Sequence, residues 1–441
     1  MSSVSRGLDR IEVAFDDPSL VADAGLILPA TLAVRLGLES LVNRSVRLSG
    51  RVGGALPGRK VLTLVFSILA GGSHIDHADR LRAGATRRVL PFSVMAPSTL
   101  GTFLRAFTFG HVRQLDAVIG EALRRAWSLG LGPGEEPMTV DLDSTIVEAH
   151  GKHKQGAAYG YTHQLGYHPL LAVRSKTGEV LHARLRKGSS QRGTKRFTEE
   201  LIARLRRAGS SGPLTLRADS GFFSFSLIDT LVRLGVSYSI TVKMNSKIRS
   251  AIEQIEESAW QPITYPDDGA AEVAETSYVT GRHGAPRCLR LLVRRTRLTD
   301  PVQLQLWPQW RHHVFVTDVE LDTVASDRFH RQHARVELAI KDLKEGAGLE
   351  HCPSGHFFAN AAWLACAVLA HDLVRWTARL GGLHPESELT VARTIRSRVL
   401  AFPGRLVNRS GKTVLRLPER WPWRTDVTNA LCRIRSLPLV T

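Results

Sequence analysis

The stretch Met138-Thr-Val-Asp-Leu-Asp-Ser-Thr145 decides the fold, because the hydrophobic pattern of the chain changes there from helical to strand-like. Its residues alternate, so that Val140 and Leu142 share one face while Asp141 and Asp143 share the other. Two carboxylates on one face of a strand repel each other unless a cation or solvent relieves them. The stretch therefore predicts a sheet strand that carries a candidate metal site.

Downstream of this strand, the hydrophobic pattern predicts a mixed α/β sheet. Strands at 169–174 and 179–186 form a predicted hairpin, after which predicted helices at 198–207 and 225–234 alternate with strands at 213–218 and 236–242. Three meandering strands followed by alternating helices and strands is the element order of a ribonuclease-H-like sheet. A strand at 313–319 and helices at 326–345 and 357–380 complete the predicted core.

The remaining segments of the 441-residue chain define the predicted domain organisation. Helical periodicity dominates the first part, and a turn-rich linker precedes the sheet. Later, the alternation of helices and strands stops between the strands at 236–242 and 313–319. We predict a helical N-terminal domain at 1–130, a catalytic core at 135–244 and 312–380, an inserted β-rich subdomain at 245–311 and a basic, irregular C-terminal tail at 381–441.

Charge and composition favour some partners and exclude others. The 59 Lys and Arg residues against 41 acidic residues give a net charge of +18, which attracts polyanions and favours nucleic acid. Four scattered cysteines without a C-x-x-C pair argue against a disulfide framework and a zinc ribbon, and they fit a reduced cytoplasm. The N-terminus lacks a signal-peptide core, and the apolar stretches are too short or too interrupted to span a bilayer. No membrane partner is therefore predicted.

Three acidic residues of the predicted core are candidate metal ligands. Asp143 lies on the first core strand, Asp219 follows a strand end, where ligands gather in α/β sheets, and Glu337 lies on a predicted helix. Carboxylate oxygens suit Mg²⁺ or Mn²⁺, and two such ions activate a water or a 3′-hydroxyl for phosphodiester cleavage and transfer. The alternatives are a turn or capping role for Asp143 and Asp219, and a solvated helix face for Glu337.

The helix predicted around Glu337 also carries cationic and titratable groups. At about 100° per residue, His330, His333, Lys341 and Lys344 fall on the same face as Glu337. Lys341, Lys344 and the two histidines are therefore candidate contacts to nucleic-acid phosphates, and the alternative is a solvated face with an i,i+4 Glu–Lys pair.

Arginines in two other segments are candidate DNA contacts. The short N-terminal helices that include Arg105 are consistent with a helix-turn-helix-like DNA reader and, equally, with a plain helical bundle with a basic face. The predicted insertion is rich in arginine, and its strands either clamp DNA phosphates or expose these side chains to solvent. The candidate contacts there are Arg290, Arg294, Arg295 and Arg297.

Five motifs, in order, resemble those of insertion-sequence transposases of the DDE class. They are Val140-Asp-Leu-Asp-Ser-Thr145, Lys154-Gln-Gly-Ala-Ala-Tyr-Gly-Tyr161, Gly166-Tyr-His-Pro-Leu-Leu171, Arg217-Ala-Asp-Ser-Gly-Phe222 and Ala334-Arg-Val-Glu-Leu-Ala-Ile-Lys-Asp-Leu-Lys344. The resemblance covers about residues 95–380. It implies a ribonuclease-H-like core in which Asp143, Asp219 and Glu337 form the metal-binding triad, with Asp141 either ligating the metal or orienting the first site.

The resemblance also implies the function. Relatives place a tyrosine and an arginine ahead of the glutamate and a lysine after it. The tyrosine position falls at His330, or at Phe329 with one residue of slip, the arginine position is His333, and Lys344 matches the lysine. The implied activity is cut-and-paste transposition: binding of terminal inverted repeats in double-stranded DNA, then cleavage and joining to target DNA with Mg²⁺ or Mn²⁺. A homodimer on paired ends and a bacterial cytoplasmic location, at the nucleoid during activity, are expected. The alternatives are a metal-dependent DNA nuclease without strand transfer and a non-catalytic DNA-binding descendant.

Overall fold

A computed structural model describes most of the chain. The described residues are 8, 11–151, 153–160, 163–188, 190, 192–265, 270–280, 287–297, 310–383 and 391–440. Tyr161, from the second motif, and residues 298–309 of the predicted insertion lie outside them.

The secondary structure is mixed. The strands are β1 (Leu20–Val21), β2 (Met138–Ser144), β3 (Val147–Glu148), β4 (Ala158–Tyr159), β5 (Leu165–Tyr167), β6 (Leu170–Arg174), β7 (Val180–Arg184), β8 (Leu214–Ala218), β9 (Val236–Thr241), β10 (Gln261–Ile263), β11 (Ala271–Thr280), β12 (Arg287–Arg297), β13 (Trp310–Thr317), β14 (Gly404–Arg409) and β15 (Lys412–Arg416). The α-helices are α1 (Ile27–Arg35), α2 (Leu38–Ser45), α3 (Pro57–Leu69), α4 (Asp79–Arg82), α5 (Pro97–Arg105), α6 (Phe109–Ala126), α7 (Thr194–Arg207), α8 (Phe225–Arg233), α9 (Ser246–Glu253), α10 (Thr323–Arg331), α11 (Arg335–Ala347), α12 (Phe357–Leu380), α13 (Ala392–Ile395) and α14 (Arg424–Ser436).

Nine strands form one mixed sheet, in the order β10-β11-β12-β13-β9-β8-β2-β6-β7. Strands β2, β8 and β9 run parallel to one another, whereas β6 and β7 continue from β2 as an antiparallel meander. Helices α7 and α8 supply the crossovers that parallel strands require. The predicted mixed α/β core, preceded by helices, is confirmed.

The strands of the predicted insertion extend this sheet instead of forming a sheet of their own. β12 pairs antiparallel with β13 along seven residue pairs, and β13 pairs in turn with β9. Leu291 and Val293 on β12 are fully buried, so one face of the long hairpin of β11 and β12 belongs to the common core.

Helix α12 is the central helix of the fold. Helices α1, α3, α5 and α6 of the N-terminal region pack against it, and so do β7 and α11. A helix surrounded in this way is mainly apolar on all sides, and α12 buries Trp363 and Trp376 together with a few paired polar residues such as Asp372. By length and composition α12 could also cross a membrane, but 89% of its apolar window is buried inside the protein.

The helix predicted at 326–345 is two helices. α10 ends at Arg331, a 3-10 turn spans Gln332–Ala334, and α11 begins at Arg335. A 3-10 turn has about three residues per turn, so it shifts the faces of the two helices relative to each other. The prediction of one common face for His330 and Glu337 was therefore wrong.

The C-terminal region is regular, contrary to our prediction of an irregular tail. β14 and β15 form an antiparallel hairpin whose β14 edge pairs with β1, and α14 follows. The two residues of the hairpin turn, Ser410 and Gly411, have φ values of 50° and 75°. Positive φ at both central positions is the conformation of a two-residue hairpin turn.

Candidate active site

Two of the predicted metal ligands lie at the carboxyl ends of adjacent strands. β2 and β8 are parallel, and their last paired residues are Leu142 and Ala218. The next residues along the two strands are Asp143 and Asp219, so the register places them side by side. Asp143 is partly buried, whereas Asp219 is exposed and accepts a hydrogen bond from the Gly221 N–H at 3.0 Å.

Glu337, the third predicted ligand, lies in the first turn of α11. The apolar stripe of α11, including Val336, Ile340 and Leu343, is buried in the core, and this packing presents Glu337 towards solvent beside β2. An open cavity of about 320 Å³ separates the helix from the strand end. Its lining comprises Asp143, Ser144, Thr145, Glu337, Ile340, Lys341, Lys344, Glu345 and Glu350.

The electrostatics of Asp143 show that the three carboxylates are near one another. Burial raises the pKa of Asp143 to about 6, and the negative charges of Asp219 and Glu337 add to the increase. The Ser144 N–H, which donates to Asp143 Oδ1 at 2.6 Å, and the charge of His333 lower this pKa but only partly compensate. Burial is therefore the main cause of the raised pKa, and the two neighbouring carboxylates add a smaller part.

These three carboxylates fit a divalent metal. They offer only hard oxygen donors, and Asp143 and Glu337 border an open cavity, which are conditions that suit Mg²⁺ or Mn²⁺. Asp143, Asp219 and Glu337 are thus the residues of this site that could hold such ions.

Asp141 does not share this environment, and the expectation that it ligates metal was wrong. Its side chain is completely buried and forms a two-pronged ion pair with Arg217, at 2.8 and 3.0 Å. His333 Nδ1 lies 3.0 Å from the same carboxylate. Both oxygens of Asp141 are therefore engaged within the protein. Its partner Arg217 stands directly opposite on β8 and also binds the Ser175 hydroxyl.

His330 does not contact solvent, which contradicts its predicted role at DNA phosphates. Its ring stacks on Phe315 at 4.0 Å and lies within hydrogen-bonding distance of the Ser239 and Thr241 hydroxyls. Burial holds the pKa of His330 well below the usual value, so its ring is neutral at neutral pH. His333, whose side chain is 15% exposed, faces Asp141.

The two lysines of α11, Lys341 and Lys344, line the cavity. Lys344 is half-buried and its Nζ donates to the Ile146 carbonyl at 2.8 Å, which draws the loop after β2 to the helix. Burial lowers the pKa of Lys344, while Glu350 and Asp143 oppose this change. Lys341 is exposed, and its Nζ lies 3.9 Å from Glu345. Both lysines can reach an anion in the cavity.

Most of the arginines predicted to clamp DNA are engaged by acids of the chain. Arg290 pairs with Glu275 at 2.7 Å, and Arg294 pairs with the buried Asp327 at 2.8 Å. Arg295 pairs with Glu257 and Glu272 and packs against the ring of Trp260. Arg294 and Arg295 are buried in these contacts, whereas Arg290 is partly exposed and its contact with DNA stays a prediction. The acids on neighbouring elements are invisible in the local sequence.

Arg297 and Arg105 differ from those three arginines. Arg297 is exposed at the end of β12, and Arg105 is exposed at the end of α5. Their contacts with DNA stay a prediction.

Sequence reasoning missed two features of the site. Arg217 is a fully buried cation that holds Asp141 and Phe329, and the signal was an arginine inside the apolar strand Leu214–Ala218. Glu350, the other feature, lines the cavity from beyond the end of α11. No sequence pattern predicts that Glu350 lines the cavity, because its position depends on how the chain turns at Gly348, which has a φ of 69°.

The class of protein follows from this arrangement and from comparison with known proteins. The ends of two adjacent strands and one helix together present oxygen donors beside an open cavity. This arrangement suits metal-dependent chemistry on phosphate esters. A family model described as "Transposase DDE domain group 1" matches residues 5–439. The chain therefore belongs to the DDE transposases, enzymes of DNA transposition that cleave and transfer DNA strands with divalent metal ions.

Two further comparisons concern curated proteins and solved structures. Comparison with the curated proteins gave no match. Among solved structures, the chain is similar to one described as "Cryo-EM structure of piggyBac transposase synaptic complex with hairpin DNA", with 11% sequence identity and a TM-score of 0.46. The match covers 86% of this chain and 79% of that chain.

Proposed function

We propose that this transposase binds the terminal inverted repeats of its own insertion sequence and cuts and rejoins DNA there with Mg²⁺, or Mn²⁺ in its place. The observation that carries the proposal is the position of Asp143 and Asp219 at the ends of two paired parallel strands, with Glu337 beside Asp143 at an open cavity. Duplex DNA, as element ends and as target, is the proposed substrate. The protein would act as a homodimer on paired ends, in the cytoplasm where that DNA lies.

Each group at the cavity has a proposed part in the reaction. Asp143, Asp219 and Glu337 would hold the metal ions, and bound ions of this kind supply an activated water or 3′-hydroxyl and stabilise the leaving oxygen. Lys344, fixed by the Ile146 carbonyl, would orient the phosphate beside Asp143. Lys341 at the exposed edge would bind a neighbouring phosphate. The Arg217–Asp141 pair would hold β2 and β8 in register, and with them the two aspartates.

Cleavage and joining of labelled element ends test this proposal. The Asp219→Asn protein should lose cleavage by at least about 10³-fold, because the charge that develops in the transition state loses its stabilisation. Its binding to the same ends should stay within about twofold, since Asp219 carries no phosphate-binding charge.

A matched control is Asp229→Asn on α8, an exposed aspartate that pairs with Arg287. This control should cleave at the parental rate. Retained cleavage in the Asp219→Asn protein would contradict the triad, and cleavage without joining in the parent would leave a metal-dependent nuclease.

A further inference from the structure

The C-terminal region concentrates the positive charge of the molecule. Residues 391–440 contain 11 Lys and Arg residues and only 2 acidic residues. Their net charge of +9 is half of the +18 carried by the whole chain of 441 residues. Some of these cations are internal, such as Arg396, which binds the Leu69 carbonyl. The hairpin of β14 and β15 carries four that are exposed.

The register of the hairpin places these four cations on one face. Arg405 stands opposite Arg416, and Arg409 stands opposite Lys412. Directly opposed residues share a face of the sheet, and residues two apart along a strand share it too. All four side chains are exposed, and Val414 between them is also exposed. The hairpin therefore presents a basic face with two cross-strand pairs of like charge.

Like charges directly opposite one another on a strand pair destabilise it. Arg405 has a carboxylate partner, since its Nε lies 3.3 Å from Asp17. Within the described part of the chain, Arg409, Lys412 and Arg416 have no ionic partner. The arrangement keeps three unneutralised cations on a regular surface, which indicates an anionic partner outside the chain.

The opposite face fixes the hairpin to the protein. Leu406 is 8% exposed and packs in the core, and Leu415 packs beside it. β14 also pairs with β1, so the hairpin is held along one edge and one face. Its cations therefore have defined positions and do not lie on a free tail.

We propose that the outward face of this hairpin binds the phosphate backbone of duplex DNA. The face holds cations about 5 Å apart across the strands and about 13 Å apart along them, at roughly 3.3 Å per residue. Along B-DNA one strand presents a phosphate about every 3.4 Å of axis, so the face spans about four phosphates of one strand. Because the contacts are to the backbone, they add affinity without reading sequence. This inference rests on the proposed function only in its choice of DNA as the polyanion.

The test is the salt dependence of binding to a terminal-repeat duplex and to an unrelated duplex of equal length. The variant Arg409→Gln, Lys412→Gln, Arg416→Gln should bind both duplexes more weakly, by roughly 10²-fold at 0.1 M salt. The slope of log K against log salt should become shallower by about 2.7, at about 0.9 for each lost contact. Its melting temperature should equal or exceed that of the parent, because repulsion within the hairpin is relieved.

The matched control removes the same charge from elsewhere. Arg44, Arg88 and Arg207 are exposed on three other elements and have no ionic partner among the described residues. Their triple replacement by Gln should leave the slope close to the parental value. A conservative variant, Arg409→Lys with Arg416→Lys, should also keep the parental slope, since the charges remain.

Several outcomes would overturn the inference. These are a parental slope in the hairpin variant, an equal decrease in the control variant, a lower melting temperature of the hairpin variant, and weaker binding of single-stranded RNA with unchanged binding of duplex DNA. None of these outcomes is measured by strand cleavage. The proposed function is tested separately, by cleavage in the parent and in the Asp219→Asn protein.

Discussion

Two acidic clusters in this molecule have similar donors and different cationic neighbours. At the cavity, burial raises the pKa of Asp143 to about 6, and the neighbouring carboxylates of Asp219 and Glu337 add to the increase. A second cluster lies on α6, β7 and α7, where Asp116, His182 and Glu200 have donor atoms within 4.8 Å of one another. This spacing is close enough to hold a metal ion. By donor geometry alone, the second cluster is the candidate metal site among the described residues.

Arginines distinguish the second cluster from the first. Glu200 is bound by Arg113, Arg184 and Arg196, and Asp116 is bound by Arg204 at 2.6 Å. Burial raises the pKa of Asp116, but the hydrogen bond from His182 and the charge of Arg204 outweigh it and bring the pKa well below its usual value. These acids are already neutralised, and a metal ion there would meet the repulsion of the arginines.

Cationic partners therefore separate a structural acidic cluster from one that is available to a metal ion. Structural carboxylates have cationic partners in the same chain, so their ionised forms favour folding. Carboxylates kept for a metal lack such partners, so their ionised forms oppose folding until the ion binds. Asp141 belongs to the structural group despite its place two residues from Asp143, because Arg217 neutralises it.

The largest effect on stability is expected at the arginine-bound cluster. Asp116→Asn removes the partner of Arg204, a cation that is 8% exposed, and should lower the free energy of unfolding by about 3 kcal/mol. Urea unfolding measures this loss. Glu199→Gln on the same helix as Glu200 is the control, since its exposed pair with Arg233 should be worth less than about 1 kcal/mol. Equal losses in the two proteins would remove the distinction between the clusters.

The same substitution at the cavity should have the opposite sign. The folded pKa of Asp143, about 6, lies above the ordinary value of 3.8, so the folded state holds the carboxyl proton more tightly than the unfolded state does. The ionised carboxylate therefore costs stability above pH 6, and the cost fades as the pH falls from 6 to 4. Asp143→Asn should be more stable than the parent by about 2 kcal/mol at neutral pH, and the two should converge near pH 4.

Mg²⁺ sharpens this prediction. An ion that binds only the folded parent raises its stability, and the Asp143→Asn protein should gain much less. Asp76→Asn, at an exposed aspartate, is the control and should change stability by less than about 0.5 kcal/mol in either condition. A less stable Asp143→Asn protein at neutral pH would place Asp143 with the structural acids.

Local pattern predicted much of the fold and part of the site. α12 has the predicted bounds, because a mainly apolar helix of 24 residues is readable within its own segment. The C-terminal hairpin was not predicted, because the alternation of Leu406 with its neighbours is short and lies within a strongly basic segment. The roles of Asp141 and His330 could not be predicted, since both depend on side chains that are 76 and 91 residues away along the chain.

The smallest expected effect concerns His333, which we first expected to bind phosphate. The structure pairs its Nδ1 with Asp141 at 3.0 Å, so its main contact joins the turn before α11 to β2. His333→Ala should cost about 1 kcal/mol of stability, the value of one hydrogen bond to a carboxylate that Arg217 still holds. His333→Gln, which can keep a donor near Asp141, should recover part of that loss. The salt slope of end binding should be the same for parent and His333→Ala, because no phosphate contact is removed. A slope that becomes shallower by about 0.9 would instead show that the histidine binds phosphate, and it would move His333 from the structural group of side chains to the DNA-binding surface.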